Sequence, residues 1–259
     1  MILAKQITSV GDLALSEPRN TATVRTQPST ISIVVPVLNE AKLIGRFLAH
    51  LRECAPDAEI IVADGGSTDG TREVAEELCD EVVTSERGRP LQLNAGANAA
   101  HGDTLWFLHA DSEVPRASLS AIAAALGDPR TVGGYFRIRL PKEHIVYRLT
   151  DSFAHYAGFL LRVRCGDHGL FCRRDVFLRA GGFPDVPVME DVEFYRSMRR
   201  LGRVRAVADR LKTSTRRYEQ IGRTRLTLAY ALIATLYAVG VPLRVLASIY
   251  ARTCQRAAA

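Results

Sequence analysis

Long apolar runs are scarce in this chain of 259 residues. One stretch, Leu226 to Leu243, passes 18 positions without a charge, the lower bound for a helix that crosses a bilayer. Alanine and threonine dilute it, and Gly240 and Pro242 interrupt it. Three readings stay open: an interfacial helix over 223–252, a tail packed on the domain or on a second copy of the chain, and a crossing helix, for which this composition is poorest. Cysteine is also sparse. The five residues are odd in number and show no paired metal-ligand spacing, which excludes a disulfide scaffold or zinc module and predicts a reduced, cytoplasmic setting, with the tail peripheral on the inner face of the cell membrane. No secretory signal, internal repeat or low-complexity linker is visible. Residues 1–29 are polar and aperiodic, which predicts a disordered leader. The first apolar strand is not followed by G-x-G-x-x-G, which argues against a nicotinamide-binding oxidoreductase. Acids are few between Arg196 and Arg225, where ten arginines and one lysine face Asp209 and Glu219. Such a block suits phosphorylated ligands or an anionic membrane surface. No nucleic-acid recognition motif accompanies it, so nucleic acid is not an expected partner.

What is present is an alternation. "ISIVVP" (31–36) reads as a buried strand closed by proline. Asn39 then caps a helical pattern of Leu43, Ile44, Phe47, Leu48 and Leu51. Further strands are expected at 58–64, 81–85 and 103–111, with helices between them at Val74–Leu78 and 89–100. This predicts an α/β fold with a mostly parallel sheet flanked by helices, whose ligands collect at the carboxyl ends of the strands. Pro36, Asp64 and Asp111 lie at those ends. Beyond Pro115 the pattern predicts a helix at 118–126, strands at 132–140 and 169–174, helices at 144–163 and before Gly202, and short strands at 204–208 and 212–217. The organisation expected is a domain over 30–221, with a regular half (30–112) and an irregular half (113–221), followed by a helical apolar tail over 222–259.

Read residue by residue, the acids admit two accounts each. Asp111 in "FLHADS" suits a helix N-cap or a ligand for a hard cation. Glu40, and the Glu190–Asp191 pair in "MEDVEF", suit helix-dipole partners or functional carboxylates. "DGGSTDG" suits a capping turn or a ligand loop.

Four motifs decide the resemblance. "ISIVVPVLNE", "VADGGSTDGT", "FLHADS" and "MEDVEF" resemble, in order, the motifs of family 2 glycosyltransferases, which have the GT-A fold. The "RGRPLQLNAGANAAHGDTLWFLHADS" stretch is similar to a bacterial subgroup of small, single-domain members. The resemblance implies an inverting transferase that moves a sugar from a nucleotide-diphosphate sugar, a UDP-sugar, to a hydroxyl or carboxyl of a small-molecule or lipid-like acceptor. It implies nucleotide contacts from Pro36, Glu40, Asp64, Gly65, Arg87, Arg89 and His109. A divalent cation, Mg²⁺ or Mn²⁺, is implied on Asp111, and a general base at Asp191 assisted by Glu190 through like-charge repulsion. Asp167, His168, Arg216 and Arg217 fall where acceptors are received, and "STRRYEQ" is loosely similar to an Arg-rich closing motif, with Tyr218 at the usual tryptophan. Two departures stand out: Gly65 replaces the usual second aspartate, and His109 replaces the usual first acid of the metal motif. They keep a non-catalytic nucleotide-sugar-binding or scaffold protein as an alternative. A nucleotidyltransferase is a weaker one, because "VLNEAKLIG" replaces its Gly-rich loop.

Overall fold

The computed structural model describes residues 30–140, 145–147 and 166–254. The leader (1–29) and most of the expected 144–163 helix lie outside them.

Strands β1 (Ile31–Val37), β2 (Glu59–Asp64), β3 (Glu81–Thr84) and β4 (Thr104–Phe107) alternate with helices α1 (Ala41–Cys54), α2 (Thr71–Glu76) and α3 (Arg89–Ala99). The second half adds α4 (Ser118–Leu126), β5 (Thr131–Arg139), a 3₁₀ turn (Gly166–His168), β6 (Phe171–Arg173), α5 (Arg174–Ala180), α6 (Glu190–Leu201) and β7 (Arg203–Lys212). The seven strands form one sheet in the order β3-β2-β1-β4-β6-β5-β7, in which only β6 runs against its neighbours.

The continuous apolar runs follow from burial on both faces. Ile33 and Val35 of β1, Ile60 and Val62 of β2 and Trp106 of β4 point to one side, against Ile44, Leu48 and Leu51 of α1 and Ile122 of α4. Val34, Ile61, Leu105 and Phe107 point to the other, against Leu93 of α3, Phe177 of α5 and Phe194 of α6. The helices thus cover both faces, and the loops after β1, β2 and β4 emerge at one edge.

Several local expectations need correction. Pro36 does not close β1: the strand runs on to Val37, which pairs with Asp64. β4 ends at Phe107, so His109 to Asp111 form a turn, not a strand end. The two short strands expected at 204–208 and 212–217 are one strand, β7, followed by helix α7 (Arg216–Ile221). Ser214 Oγ accepts from the Arg216 amide at 3.1 Å, so a local side-chain bond turns the chain out of the sheet. β7 is the exposed edge strand, and it carries much of the basic block. Arg203 and Arg205 pair with Asp128, and Lys212 pairs with Glu113. Charge on a sheet edge discourages pairing with another chain, a structural use for residues that composition alone assigned to anionic ligands.

The tail is a helical hairpin, α8 (Arg223–Ala238) and α9 (Leu243–Cys254), broken where Gly240 takes a φ of 86° just before Pro242. Leu226, Ala229 and Ile233 pack on Leu140, Tyr147 and Tyr218, and Tyr237 and Leu246 pack on Val192 of α6. Among the described residues no helix is long and apolar enough to cross a membrane, which overturns the crossing reading.

Candidate active site

Two neighbouring loops are stitched together at the carboxyl edge. The Asp64 carboxylate is buried and accepts from the Ser67 amide at 3.1 Å and from the Ser67 hydroxyl. Ser67 Oγ in turn accepts from the Asn39 amide at 2.9 Å, and Asn39 Oδ1 accepts from the Thr68 amide at 2.9 Å. The Glu40 and Ala41 amides donate to Thr71 Oγ1 (2.8 Å) and Asp69 Oδ2 (3.1 Å). The first amides of α1 are therefore capped from the second loop. Asn39 is not the N-cap: it sits one residue earlier, at a left-handed φ of 54° that Asn tolerates better than most residues. Asp69 also accepts from the Thr71 amide at 3.1 Å, so the capping account of "DGGSTDG" holds as local structure.

Gly65 has a packing cause. A Cβ there would lie 2.8 Å from Cδ of Gln92, a buried residue of α3. An aspartate there would have to displace the carboxamide of this glutamine.

After β4, the Ser112 amide donates to the His109 carbonyl at 3.0 Å, closing the turn that carries Asp111. Helix α4 begins only at Ser118, so Asp111 is not its N-cap. Burial pushes the Asp111 carboxyl up, Asp167 and Glu40 push the same way, and Arg216 opposes them. His109 is pushed down to about 4, first by burial and then by Arg89 and Arg217, against Asp167. Its Nε2 lies 3.9 Å from Asp167 Oδ1. The imidazole is neutral at pH 7 and so keeps a lone pair for a ligand.

Glu190 and Asp191 open α6, and both are buried. Their placement comes from aromatic packing. Phe194, one turn on, meets Phe183 at 4.3 Å and Phe107 of β4 at 5.9 Å between ring centroids. Asn94 of α3 clips the preceding loop by donating to the Phe183 carbonyl and accepting from its amide, both at 2.8 Å. The same helix delivers Arg89 Nη1 to Glu190 Oε1 at 3.2 Å. Arg89 is half-exposed; the protein around it disfavours its charge, but Asp191 and then Glu190 outweigh that and hold the guanidinium above its ordinary value. The expected repulsion between the two acids is thus offset by a cation. His109 and Asp191 line one narrow pocket with Leu93, Phe107, Leu108 and Leu170. Asp111 and Asp191 belong to one electrostatic group: Asp167 acts on Asp111 and on His109, and Arg89 acts on His109 and is held by Asp191.

The remaining candidates divide. Arg216 spans the cleft to Glu40 with two bonds of 3.0 and 3.2 Å. Arg217 donates to the Tyr250 hydroxyl (2.8 Å) and the Cys254 carbonyl (3.1 Å), which ties the tail to this edge. Neither is a freely solvated charge. Asp167 is half-exposed beside His109, whereas His168 is buried and edge-on to Tyr135. Arg87 is exposed, and no described contact joins it to the group. Sequence reasoning missed Gln92, Asn94 and the tail tyrosines 230 and 250. Only the oddity of Gly65 hinted at the first.

Among the described residues no group of three or more His, Cys, Asp or Glu side chains could enclose a metal ion. The protein offers Asp111 with neutral His109 and Asp167 nearby, an oxygen-rich but incomplete set. That fits a hard cation completed by phosphate oxygens, since such ions commonly take one or two carboxylates plus substrate and water.

Comparison with known proteins extends this edge-on geometry to a family. The profile described as "Glycosyl transferase family 2" matches residues 32–178, more than half of the chain. The chain belongs to glycosyltransferase family 2. Among family members, the glycosyltransferase AglJ of Haloferax volcanii is 43% identical over 61% of this chain and 48% of its own length. A PGL/p-HBAD biosynthesis glycosyltransferase of Mycobacterium bovis is 32% identical over 38% of this chain and 41% of its own. The chain therefore spans about half or less of these relatives. Among solved structures, the mannosyltransferase PcManGT from Pyrobaculum calidifontis, in complex with GDP-Man and Mn²⁺, superposes with a TM-score of 0.66 at 23% identity, over 87% of this chain and 70% of that one. Glucosyl-3-phosphoglycerate synthase from Mycobacterium tuberculosis, in complex with Mn²⁺, UDP and phosphoglyceric acid, gives 0.58 at 19%, over 83% and 80%. These share the GT-A glycosyltransferase fold. In this family 2 member Asp64 ends β2, Asp111 lies in the turn after β4 and Asp191 opens α6, while Gly65 and His109 stand where the usual motifs have aspartate.

Proposed function

We propose that this glycosyltransferase moves a sugar, with inversion, from a nucleoside diphosphate sugar, a UDP-sugar, to a hydroxyl or carboxyl of an acceptor. The observation that carries the reading is the buried Glu190–Asp191 pair bonded by Arg89, with His109 against the same small void as Asp191 and Asp111 two residues from the histidine. The acceptor oxygen attacks the anomeric carbon from the face opposite the diphosphate. The new C–O bond forms as the bond to the diphosphate breaks, Asp191 takes the acceptor proton, and the nucleoside diphosphate leaves. One displacement needs one base and no covalent intermediate. Arg89 orients the Glu190–Asp191 pair. Asp111 would hold a divalent cation, Mg²⁺ or Mn²⁺, which when bound offsets negative charge on the departing diphosphate. Pro36, Glu40, Asp64, Gly65 and Arg87 frame the nucleotide side. Asp167, His168, Arg216 and Arg217 frame the acceptor side. The complexes of the fold neighbours with nucleotide, GDP-Man or UDP, and with Mn²⁺ support this assignment.

The test is nucleoside diphosphate release from a panel of nucleotide sugars, with and without a chelator. Asp191→Asn is expected to lower turnover by about 10²–10⁴-fold, the usual contribution of a general base, with donor affinity nearly unchanged. Chelation is expected to abolish turnover, with recovery on adding Mn²⁺. Tight, metal-dependent nucleotide binding with no turnover on any acceptor would favour the binding or scaffold alternative.

The tail supports a further partner for the same reading, an anionic membrane surface that presents a lipid-like acceptor. Leu228, Leu232, Val239 and Val245 are exposed on the outer side of the hairpin, at 64%, 49%, 73% and 48%, and exposed Arg225, Arg244 and Arg252 accompany them.

A further inference from the structure

The replacement of an aspartate by Gly65 leaves the nucleotide edge without one of the family's usual acceptors. Gln92 fills the volume left open. Its carboxamide lies over Gly65, with Cδ, Nε2 and Oε1 at 2.8, 3.0 and 3.1 Å from where a Cβ would stand. The side chain comes from α3, not from the motif loops, and is 5% exposed.

Both amide hydrogens of Gln92 are committed. Nε2 donates to the Val37 carbonyl at 2.6 Å and to the Ala63 carbonyl at 3.1 Å, at the carboxyl ends of β1 and β2. A flipped amide would set Oε1 against two carbonyl oxygens, so the hydrogen-bond network fixes the orientation. Oε1 is then left as an acceptor beside Gly65, and no hydrogen bond among the described residues ends on it. An acceptor held in one orientation at this edge, with no donor of its own among the described residues, is available to a ligand N–H.

We propose that Gln92 Oε1 reads the nucleobase, accepting from a ring N–H in place of the missing aspartate. This rests on the reading of the cleft as a nucleotide-sugar site. The chemistry makes a sharp division. Uracil and guanine carry a hydrogen on a ring nitrogen of their pairing edge, whereas cytosine and adenine carry a lone pair there. A lone pair facing Oε1 is repelled. The protein therefore takes uridine or guanosine diphosphate sugars and rejects cytidine and adenosine ones. Gln92 is a specificity residue, and it makes Gly65 a compensated change and not a loss.

Calorimetric titration of the full chain with UDP, GDP, CDP and ADP in the presence of Mn²⁺ tests this. UDP or GDP is expected to bind about ten-fold or more tightly than CDP and ADP, the scale of one unpaired buried acceptor. Gln92→Met, similar in size but with no acceptor, is expected to level that ratio while CDP affinity holds. The ratio is read because the variant also removes two buried hydrogen bonds and lowers stability. The double variant Gly65→Asp with Gln92→Ala vacates the space and supplies a new acceptor, and is expected to restore the preference for UDP. Equal binding of all four nucleotides by the wild type would overturn the inference and leave the glycosyltransferase reading standing. So would an undiminished ratio in Gln92→Met, which would assign the selection to Asp64 alone. Binding of none of the four would overturn both.

Discussion

At the scale of single residues, the acids proposed to carry the chemistry are legible in sequence because they stand in short motifs. Their partners are not. Asp64, Asp111 and Asp191 were found by pattern. Asn94, which clips the loop before α6, and Gln92, which a side chain at Gly65 would have to displace, act only once α3 has been laid across the ends of β1 and β2. Asn39 makes the point testable. Sequence made it an N-cap, but the fold uses it as a left-handed residue whose side chain reaches the neighbouring loop. Asn39→Gly keeps the backbone shape and loses the bond to the Thr68 amide. Asn39→Ala loses the bond and also places a Cβ at positive φ, which costs about 1 kcal/mol more. Denaturant unfolding is expected to rank the wild type first, Asn39→Gly next and Asn39→Ala last. An alanine variant as stable as the glycine variant would contradict the strained geometry.

At the scale of elements, alternation of apolar runs with helical periods placed β1 to β4 and α1 to α3 in the right order and type, though not at their ends, because both faces of a parallel sheet are buried and the signal is strong. The second half was less legible. β7 was split in two because its exposed, charged edge gives a weak pattern, and α7 was taken for a strand because a serine side chain, not apolar spacing, starts it. Register depends on groups that no periodicity reveals. Glu59, at the start of β2, accepts from Ser32 of β1 and from the His101 amide at 2.9 Å, and its Oε1 meets His101 Nδ1 at 2.7 Å. Burial alone would raise its pKa, but these bonds outweigh that and hold it below the ordinary 4.5. A depressed folded pKa means that the stabilisation is present above the unfolded value and is lost as pH falls through the folded one. Glu59→Gln is therefore expected to be less stable at pH 7 by about 1–2 kcal/mol, the scale of charge-assisted bonds discounted for partial exposure. The gap in unfolding midpoint should close as pH falls below 4.5. A constant gap across pH would assign the loss to packing instead.

At the scale of the whole molecule, the tail unites what composition could not reconcile, an apolar stretch too diluted to cross a bilayer and too long to leave in water. Its inner face is core. Leu226, Ile233 and Leu246 are almost fully buried against the domain, and each such side chain contributes about 1.5–3 kcal/mol. A chain ending at Ile221 would bare Tyr147, Tyr218 and Val192, so truncation confounds folding with membrane binding. The outer face is the informative target, because its residues touch little. Leu228→Ser with Leu232→Ser is expected to leave the thermal midpoint unchanged and to abolish co-sedimentation with vesicles rich in anionic phospholipid. Arg225→Gln with Arg252→Gln separates charge from greasiness. A basic residue near an anionic surface adds about 1 kcal/mol, so this pair is expected to weaken binding roughly thirty-fold on anionic vesicles and hardly at all on zwitterionic ones. If the wild type sediments with neither kind of vesicle, the membrane is not the partner. If it instead self-associates with rising concentration, and the serine pair prevents this, the ridge belongs to a second copy of the chain.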